Sequence, residues 1–448
     1  MLRKLIQEAS MSANADAIVT PQGSTSWREL RAMTESFSDK CDSLRRSRVG
    51  LSFPAAASSW ALLAALETAD CDVFLIDSLL SENEMVSLGK KLRLGSVLRH
   101  GETSPSNQLT VHKLDDAAAW SGNSSVTILT SGTTGEPKAV RHSWEGLFRP
   151  VRASKTQSSP KWLLSYRPHL YAGLQVALQC FADHGTLAIC PHDASPRFLA
   201  EFLVSAKVEY VSATPSYWRR LLMFGDAETL KQLSLAQITL GGEVVDQQIL
   251  DKLRHYFPKA RIVHIYATTE AGRCFSVDDG MAGFPVAYLQ QARLDGTELR
   301  LQDSELLIRS PNSMKTYDPH SSKRNSVQDW FATGDVVTLT NDRVYFIGRK
   351  SEMINVAGSK VFPIEVEKVI RLVPGVEDVR VFGKSSSIAG QLVACEIVAQ
   401  DEENLEALKK RVTKTCLDRL TSYQRPRSIS FVEKLSLSSA GKTSRASR

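Results

Sequence analysis

The sequence lacks long hydrophobic runs. No stretch of about 18 apolar residues, the length needed to cross a bilayer, occurs in the 448 residues. The first 17 residues contain one short apolar stretch that Gln7 and Glu8 interrupt, which is too weak for the core of a secretory signal. We therefore predict no membrane span and expect the protein in the cytoplasm.

Paired cysteines are also missing. The seven cysteines are an odd number, and no two of them have the CxxC spacing or any other metal-ligand spacing. This pattern argues against a disulfide framework and against a structural zinc site. We expect reduced thiols that serve mainly in the core.

A concentrated basic surface is absent. The net charge is +6, but the lysines and arginines are dispersed, and the densest cluster, at residues 45–48, has no aromatic platform beside it. We therefore predict no nucleic-acid partner. With 42% hydrophobic and 23% charged residues, the composition is that of a folded globular protein. At roughly 150 residues per domain, the length favours two or three domains.

The periodicity of the chain predicts an α/β fold. Helical and strand-like patterns alternate up to about residue 120, and Ser26 with Glu29 forms a capping box at one predicted helix start. Apolar and polar residues alternate around a turn in 336–347, which predicts a β-hairpin. The last hundred or so residues combine strands with two helices, one of which has Pro363 in its first turn. We predict a large domain of layered sheets and helices, followed by a small α+β domain.

Three predicted strands each run into a polar loop. The strands are 126–130, 237–240 and 262–266, and in open α/β sheets such loops meet beyond the carboxyl ends of the strands. After the first of these loops, Ser143 is a predicted helix N-cap. The loop residues that we predict to share one ligand site are Thr130, Ser131, Gly132, Thr133, Thr134, Gly135, Lys138, Gly241, Gly242, Glu243, Ala267, Thr268, Thr269 and Glu270.

The segment 130–138 has the composition of a phosphate-binding loop. It contains two glycines, four hydroxyl side chains and one lysine in nine residues. Glycines let successive N–H groups turn toward an anion, hydroxyls add donors, and a lysine adds positive charge. The spacing is not the Walker pattern. An ordinary surface loop rich in glycine and threonine is the alternative.

This loop resembles the signature loop of the acyl-adenylate-forming superfamily, which includes acyl-CoA synthetases, nonribosomal adenylation domains and beetle luciferases. Later segments are similar to further motifs of that family, in the same order: Tyr266-Ala267-Thr268-Thr269-Glu270, Thr333-Gly334-Asp335, Gly348-Arg349 and Gly441-Lys442. The resemblance implies an ATP-dependent enzyme that activates a carboxylic acid as an acyl-adenylate and passes the acyl group to a thiol.

The same resemblance implies that these loops bind the nucleotide, and it gives several residues a specific role. Tyr266 would stack on adenine, Thr269 would donate to the α-phosphate, and Glu270 would hold Mg²⁺. The alternative for Tyr266 is a buried aromatic at a strand end, and the alternative for Glu270 is an acid in the first turn of a helix. Asp335 would accept from the ribose hydroxyls, with Arg349 as a second contact to ribose or phosphate. The alternative for Asp335 is an ordinary turn residue without a ligand.

The resemblance divides the chain into a domain of residues 1–348, a hinge of 349–352 and a mobile lid of 353–448. Lys442 would stabilise the α-phosphate, although a lysine in a polar tail is usually just solvated. Gly358 would border the channel of the acceptor thiol. Two positions depart from the family pattern, because Ala267 replaces a glycine and Ser351 stands at a hinge position that more often carries aspartate or lysine.

The segment 165–173 resembles the Pro-x-x-His-x-x-Gly region of acyl- and aryl-acid ligases. It contains no acidic residue to pair with a substrate ammonium, so an aryl, fatty or other simple acid is favoured over an α-amino acid. The predicted acid pocket comprises Arg167, His169, Gly173, Ser212 and Thr214. Arg167 and His169 would recognise a ring substituent or a second carboxylate, unless His169 is an ordinary core histidine.

Four functions remain open at this point. CoA is the favoured acceptor, and a stand-alone enzyme that loads the phosphopantetheine arm of a carrier protein is the main alternative. An amine acceptor is the third. A nucleotide sensor without turnover is disfavoured, because both Glu270 and Lys442 are present.

Overall fold

The computed structural model of the chain describes residues 1–11, 15–100, 109–130, 138–152, 159–292, 296–311, 316–317, 330–386, 390–400 and 403–435. The elements up to residue 148 are α1 (Leu2–Ala9), β1 (Asp16–Thr20), β2 (Gly23–Ser26), α2 (Trp27–Cys41), β3 (Arg48–Ser52), α3 (Ala57–Thr68), β4 (Asp72–Ile76), α4 (Glu82–Lys91), β5 (Ser96–His100), β6 (Leu109–Lys113), β7 (Ser125–Thr130), β8 (Lys138–Ser143) and α5 (Trp144–Phe148).

The central elements are β9 (Lys161–Leu164), α6 (Tyr171–Ala182), β10 (Thr186–Ala188), α7 (Pro196–Ser205), β11 (Tyr210–Ala213), α8 (Pro215–Phe224), α9 (Ala227–Lys231), β12 (Gln237–Gly241), α10 (Gln247–Tyr256), β13 (Arg261–Thr268), β14 (Gly272–Val277), β15 (Phe284–Pro285), β16 (Glu298–Gln302), β17 (Glu305–Arg309), β18 (Thr316–Tyr317), β19 (Phe331–Thr340) and β20 (Arg343–Arg349). After a 3-10 turn at Lys350–Glu352 come β21 (Ile354–Val356), β22 (Ser359–Val361), α11 (Pro363–Arg371), β23 (Val376–Ser386), β24 (Gly390–Ala399), α12 (Leu405–Arg419) and β25 (Ser428–Phe431).

Two large sheets form the first part of the fold. One sheet has the order β18-β8-β7-β4-β3-β5-β6, and the other has the order β14-β13-β12-β11-β9-β10-β1-β2. The inner strands of both are parallel, and antiparallel strands lie toward their edges. Parallel strands need covered faces. Helices α2, α3 and α6 supply that cover between the two sheets, where Trp27 and Trp60 each meet the Phe181 ring edge-on at 5.3 and 5.5 Å.

The outer face of the second sheet packs against α7, α8 and α10 through a separate apolar cluster, and α4 covers the outer face of the first sheet. An antiparallel sheet of order β15-β20-β19-β17-β16 follows. Residues 354–431 then build a smaller sheet around a cluster of their own, with α11 and α12 packed on it. The division into layered sheets plus a small α+β part agrees with the sequence prediction, while the bounds 1–348, 349–352 and 353–448 stay a prediction.

Local signals explain several element boundaries. The Ser26–Glu29 capping box starts α2, Ser143 caps α5 by accepting from Gly146 N, and Pro363 is the first residue of α11. Strand β8 lies between the predicted 130–138 loop and the Ser143 cap, where no element was predicted from the sequence. All seven cysteines are free and buried, as predicted. Within the described residues, none of the helices combines the length and apolar character that a membrane crossing requires.

Candidate active site

Loops from both large sheets meet at the carboxyl ends of their parallel strands. Strand β7 continues into a hairpin with β8, where Thr130 pairs with Lys138 and the Thr130 hydroxyl donates to the Lys138 carbonyl at 3.4 Å. The predicted phosphate-loop residues Ser131, Gly132, Thr133, Thr134 and Gly135 lie outside the described residues, as does Lys442. Their predicted roles therefore stay predictions.

This hairpin reaches the turn that carries Thr269. His142 on β8 is buried, which lowers its imidazole pKa to about 4, opposed by a smaller effect of a hydrogen bond with the Thr269 backbone. A group with that pKa is neutral at pH 7. An uncharged ring therefore lies between β8 and the Thr269 turn.

Thr269 and Glu270 lie in the tight turn between β13 and β14. The Thr268 hydroxyl accepts from Ala271 N at 2.9 Å, which fixes the turn. Glu270 is not in a helix, so the alternative of a helix first-turn acid is wrong. The strand pairing shifts between Tyr266 and Ala267, and Ala267 is exposed with no positive φ. The methyl group that replaces the family's glycine is therefore accommodated.

The structure brings Tyr266, Asp335 and Arg349 together although they come from three strands. Asp335 is 7% exposed, and its carboxylate accepts from the Tyr266 hydroxyl and, at 2.7 Å, from Arg349 Nε. Burial and Asp335 raise the pKa of Tyr266 well above its ordinary value, so the hydroxyl remains a donor. The resemblance implies that all three residues face one nucleotide, and their nucleotide roles stay predictions.

Two phenylalanines flank Tyr266. Phe275 and Phe346 stack on it with ring centroids 5.2 and 5.0 Å away and planes within 13° and 11° of parallel. Phe275 is the cross-strand partner of Tyr266 on β14, and Phe346 comes from β20. The aromatic contacts fix the direction in which the Tyr266 hydroxyl points.

The residues after β12 face the start of α8. Gly241 ends the strand, and Gly242 has φ +82°, which suits glycine. The Glu243 carboxylate accepts from Ser216 N at 2.9 Å, and the Tyr166 hydroxyl donates to the Gly241 carbonyl at 3.4 Å. The predicted nucleotide loop is therefore tied both to α8 and to the end of β9.

The predicted acid-pocket residues Arg167 and His169 lie beside an acid that the sequence reasoning missed. Asp77, just beyond β4, is 3.3 Å from Arg167 Nη1 and 3.9 Å from His169 Nε2. Burial lowers the pKa of His169 to about 4, and the opposite effect of Asp77 is smaller. The cluster therefore holds one carboxylate, one guanidinium and one neutral imidazole. The sequence contains a signal that could have located Asp77, because a polar residue directly after a buried strand is the pattern that located the other loops.

Ser212 and Thr214 serve structural contacts at the same end of the sheet. The Ser212 carbonyl accepts from the Ser165 hydroxyl. Thr214 is buried, and its hydroxyl accepts from Tyr217 N at 3.1 Å as the N-cap of α8. Both residues thus have structural contacts, and their contact with an acid stays a prediction.

Gly173 is needed for close packing. A Cβ at this position would lie 2.2 Å from the Arg167 carbonyl oxygen. We expect Gly173→Ala to displace the 167–169 turn and to lower the free energy of unfolding by about 1–3 kcal/mol, as overpacking does. Chemical denaturation measures this. Gly95→Ala is the control, because the nearest atom to its new Cβ would be 3.6 Å away, and equal losses in both variants would contradict the assignment.

The predicted hinge and acceptor-channel positions follow β20 in the chain. Ser351 is in the 3-10 turn Lys350–Glu352 and is exposed. Gly358 has φ +88°, and its N–H donates to Asn355 Oδ1 at 2.9 Å. Apart from its two chain neighbours, no atom of the described residues lies within 4 Å of a Cβ placed there. The open space is compatible with a channel wall, and the channel itself stays a prediction.

Two protein-family models match the chain. The family model "AMP-binding enzyme" matches residues 50–318, and the model "AMP-binding enzyme C-terminal domain" matches residues 365–442. The chain is 28% identical over 339 residues to a putative acyl–CoA ligase, YdaB, of Bacillus subtilis, covering 71% of this chain and 66% of that protein. It is 25% identical over 448 residues to the 2-succinylbenzoate–CoA ligase of Lactococcus lactis, covering 93% and 92%.

Solved structures share the fold. The anthranilate CoA ligase AuaEII, in complex with anthranoyl-AMP, superposes with a TM-score of 0.80 at 18% identity, covering 99% of this chain and 95% of that one. A benzoate CoA ligase from Burkholderia xenovorans LB400 gives 0.81 at 17% identity, covering 99% and 98%. The predicted fold class and the predicted class of acid-activating enzyme are confirmed. The chain belongs to the family of AMP-binding enzymes.

Proposed function

We propose that the protein activates a simple carboxylic acid with ATP and transfers the acyl group to CoA. In the first step a carboxylate oxygen attacks the α-phosphate, and pyrophosphate leaves. In the second step the CoA sulfur attacks the acyl carbon, its proton is released, and AMP leaves with the attacking carboxylate oxygen. The observation that carries the proposal is the Tyr266–Asp335–Arg349 cluster beside the Thr269 turn, at the mouth of two parallel sheets.

Each described residue has a task in this reaction. Asp335 accepts from the ribose hydroxyls, held in place by Arg349 and by the Tyr266 hydroxyl. Adenine would pack beside Gly241-Gly242 and against the edge of Tyr266, because Phe275 and Phe346 already stack on the ring of that tyrosine. Thr269, in its fixed turn, donates to the α-phosphate as negative charge develops there, which is preorganised electrostatic stabilisation.

Mg²⁺ fits Glu270. Among the described residues no group of three or more His, Cys, Asp or Glu side chains could hold a metal by itself. A nucleotide-bound Mg²⁺ needs only one or two protein carboxylates, because the phosphates and water supply the other ligands. Glu270 is partly exposed in its turn and satisfies that requirement. The ion would neutralise phosphate charge.

The charge balance near Arg167 supports a substrate acid that carries no charge beyond its reacting carboxylate. Asp77 and Arg167 neutralise one another, and His169 is neutral, so the predicted acid pocket offers no net charge of either sign. A second carboxylate would lie near Asp77, and an ammonium would meet an aspartate that Arg167 already occupies. Either group would lose hydration without full compensation. We infer an aryl or alkyl monocarboxylic acid as the substrate.

A panel of acids tests this inference. We expect kcat/KM for benzoate or hexanoate to exceed that for terephthalate, adipate or the matching α-amino acids by at least about 100-fold. Asp77→Asn should improve the dicarboxylates about tenfold relative to the monocarboxylates, because it removes the repelling charge. Asp303→Asn, which changes an exposed acid in the turn between β16 and β17, is the control. A dicarboxylate or an amino acid as the best wild-type substrate would contradict the inference.

Acceptor identity is tested with the best acid of that panel. We expect acid-dependent pyrophosphate release to accelerate on addition of CoA, with acyl-CoA and AMP formed in equal amounts. CoA is proposed over a carrier protein because the relatives named above are CoA ligases. If pyrophosphate release does not respond to CoA but does respond to a phosphopantetheinylated carrier or to an amine, then that compound is the acceptor and CoA is not. If no acid releases pyrophosphate, the proposed function fails.

A further inference from the structure

Glu305, the first residue of β17, uses its two carboxylate oxygens on two different segments. Oε1 accepts from Gly334 N at 2.7 Å, and Oε2 accepts from Lys350 Nζ at 2.5 Å. The Glu305 side chain is 14% exposed, whereas that of Lys350 is 53% exposed. One contact is therefore shielded from water, and the other lies at the surface.

The shielded contact fixes the backbone that carries Asp335. Gly334 has φ +75°, and the pairing of β17 with β19 shifts register between Glu305 and Leu307, so this segment bulges out of the ladder. The Thr333 hydroxyl donates to the Leu306 carbonyl at 2.7 Å and accepts from Asp335 N at 3.0 Å. The bulge is thus held at Thr333 and Gly334, directly before the carboxylate that binds Tyr266 and Arg349.

The surface contact holds the start of the linker to the C-terminal part of the chain. Lys350 follows Arg349, which binds Asp335, and it begins the 3-10 turn that leads to β21. Two acid–base pairs therefore lie side by side, Asp335 with Arg349 and Glu305 with Lys350. The second pair must open if the backbone of the 3-10 turn reorients.

We propose that Glu305 is a positioning residue with two separable tasks: its Oε1 sets the Asp335 bulge for nucleotide binding, and its Oε2 restrains the linker through Lys350. The first task concerns ATP affinity. The second rests on the proposed function, because it concerns the balance between adenylate formation and acyl transfer. An exposed ion pair contributes little to stability, but it can still bias a linker between two positions.

Three variants separate the tasks. Glu305→Ala removes both contacts and should weaken ATP binding about tenfold, because a charge-assisted hydrogen bond to a shielded N–H is lost. Glu305→Gln keeps an oxygen for Gly334 N and should restore ATP affinity to within about threefold of wild type. Lys350→Met removes only the surface contact, so ATP affinity should stay within about twofold. Lys350→Met and Glu305→Gln should both change the ratio of acyl-transfer to adenylation rate by about threefold or more.

Calorimetric titration with ATP measures the first task without turnover, so it is informative even if the proposed function fails. Single-turnover transfer from preformed acyl-adenylate measures the second. Glu298→Gln is the matched control, because Glu298 forms an exposed ion pair with Arg309 in the same sheet. A purely structural role would lower the unfolding temperature of Glu305→Ala with unchanged ATP affinity, which would overturn the proposal. Equal loss of ATP affinity in Glu305→Gln and Glu305→Ala, or an unchanged rate ratio in Lys350→Met, would also overturn it.

Discussion

Lys442→Ala is expected to slow acyl-adenylate formation by about 10²–10³-fold. The variant removes a cation that stabilises the α-phosphate while the carboxylate attacks, and such preorganised charge is worth this much in other enzymes. Lys442 lies outside the described residues, so the assignment rests on its Gly-Lys motif. Acyl transfer should be spared, because the α-phosphate has already reacted by then.

Acid-dependent pyrophosphate release measures the first step, and presynthesised acyl-adenylate supplied with CoA measures the second. Lys434→Ala is the control, because Lys434 is an exposed lysine only eight positions away and should be silent. If Lys442→Ala loses transfer as severely as adenylation, the lysine does not act on the first step alone. Unchanged pyrophosphate release would remove the assignment.

Asp335→Ala should lower the rate of adenylate formation by about 10²-fold or more at subsaturating ATP. The change removes the proposed ribose acceptor and leaves Arg349 and the Tyr266 hydroxyl without their shared partner. Asp335→Asn, which keeps one oxygen, should lose less. The loss should appear mainly as a higher KM for ATP, because ribose contacts are made before the chemistry.

Asp342→Ala provides the control for that experiment. Asp342 is an exposed acid in the turn of the same β19–β20 hairpin, and its removal should change KM for ATP less than twofold. Thermal unfolding of both variants checks that they are folded. Wild-type kinetics in Asp335→Ala would show that the carboxylate serves only to pair Arg349 with Tyr266.

The parts of the site that the sequence predicted are the short contiguous ones. A strand followed by a polar loop is a local pattern, so the ends of β7, β12 and β13, and with them the Thr268–Glu270 turn, could be located from it. The Asp335 motif was found from its resemblance to a family motif, and the structure places Asp335 inside β19. Their convergence follows because parallel strands present their carboxyl ends to one edge.

The parts that the sequence did not predict depend on contacts between distant segments. Asp77 and Arg167 are 90 positions apart, and Glu305 and Lys350 are 45 apart. Nothing in the local pattern around such residues specifies the partner. The stacking of Phe346 on Tyr266 is of the same kind, since it depends on how two different sheets meet. These contacts set the charge balance of the predicted acid pocket and support the proposed ribose acceptor.

The most direct test of an acyl-adenylate mechanism is the fate of a labelled oxygen. The wild-type protein is supplied with the preferred acid carrying ¹⁸O in its carboxylate, together with ATP, Mg²⁺ and CoA, and the products are analysed by mass spectrometry. We expect one labelled oxygen in AMP, unlabelled pyrophosphate and acyl-CoA that retains the other labelled oxygen. Formation of ADP and labelled inorganic phosphate, or of AMP without label, would contradict it.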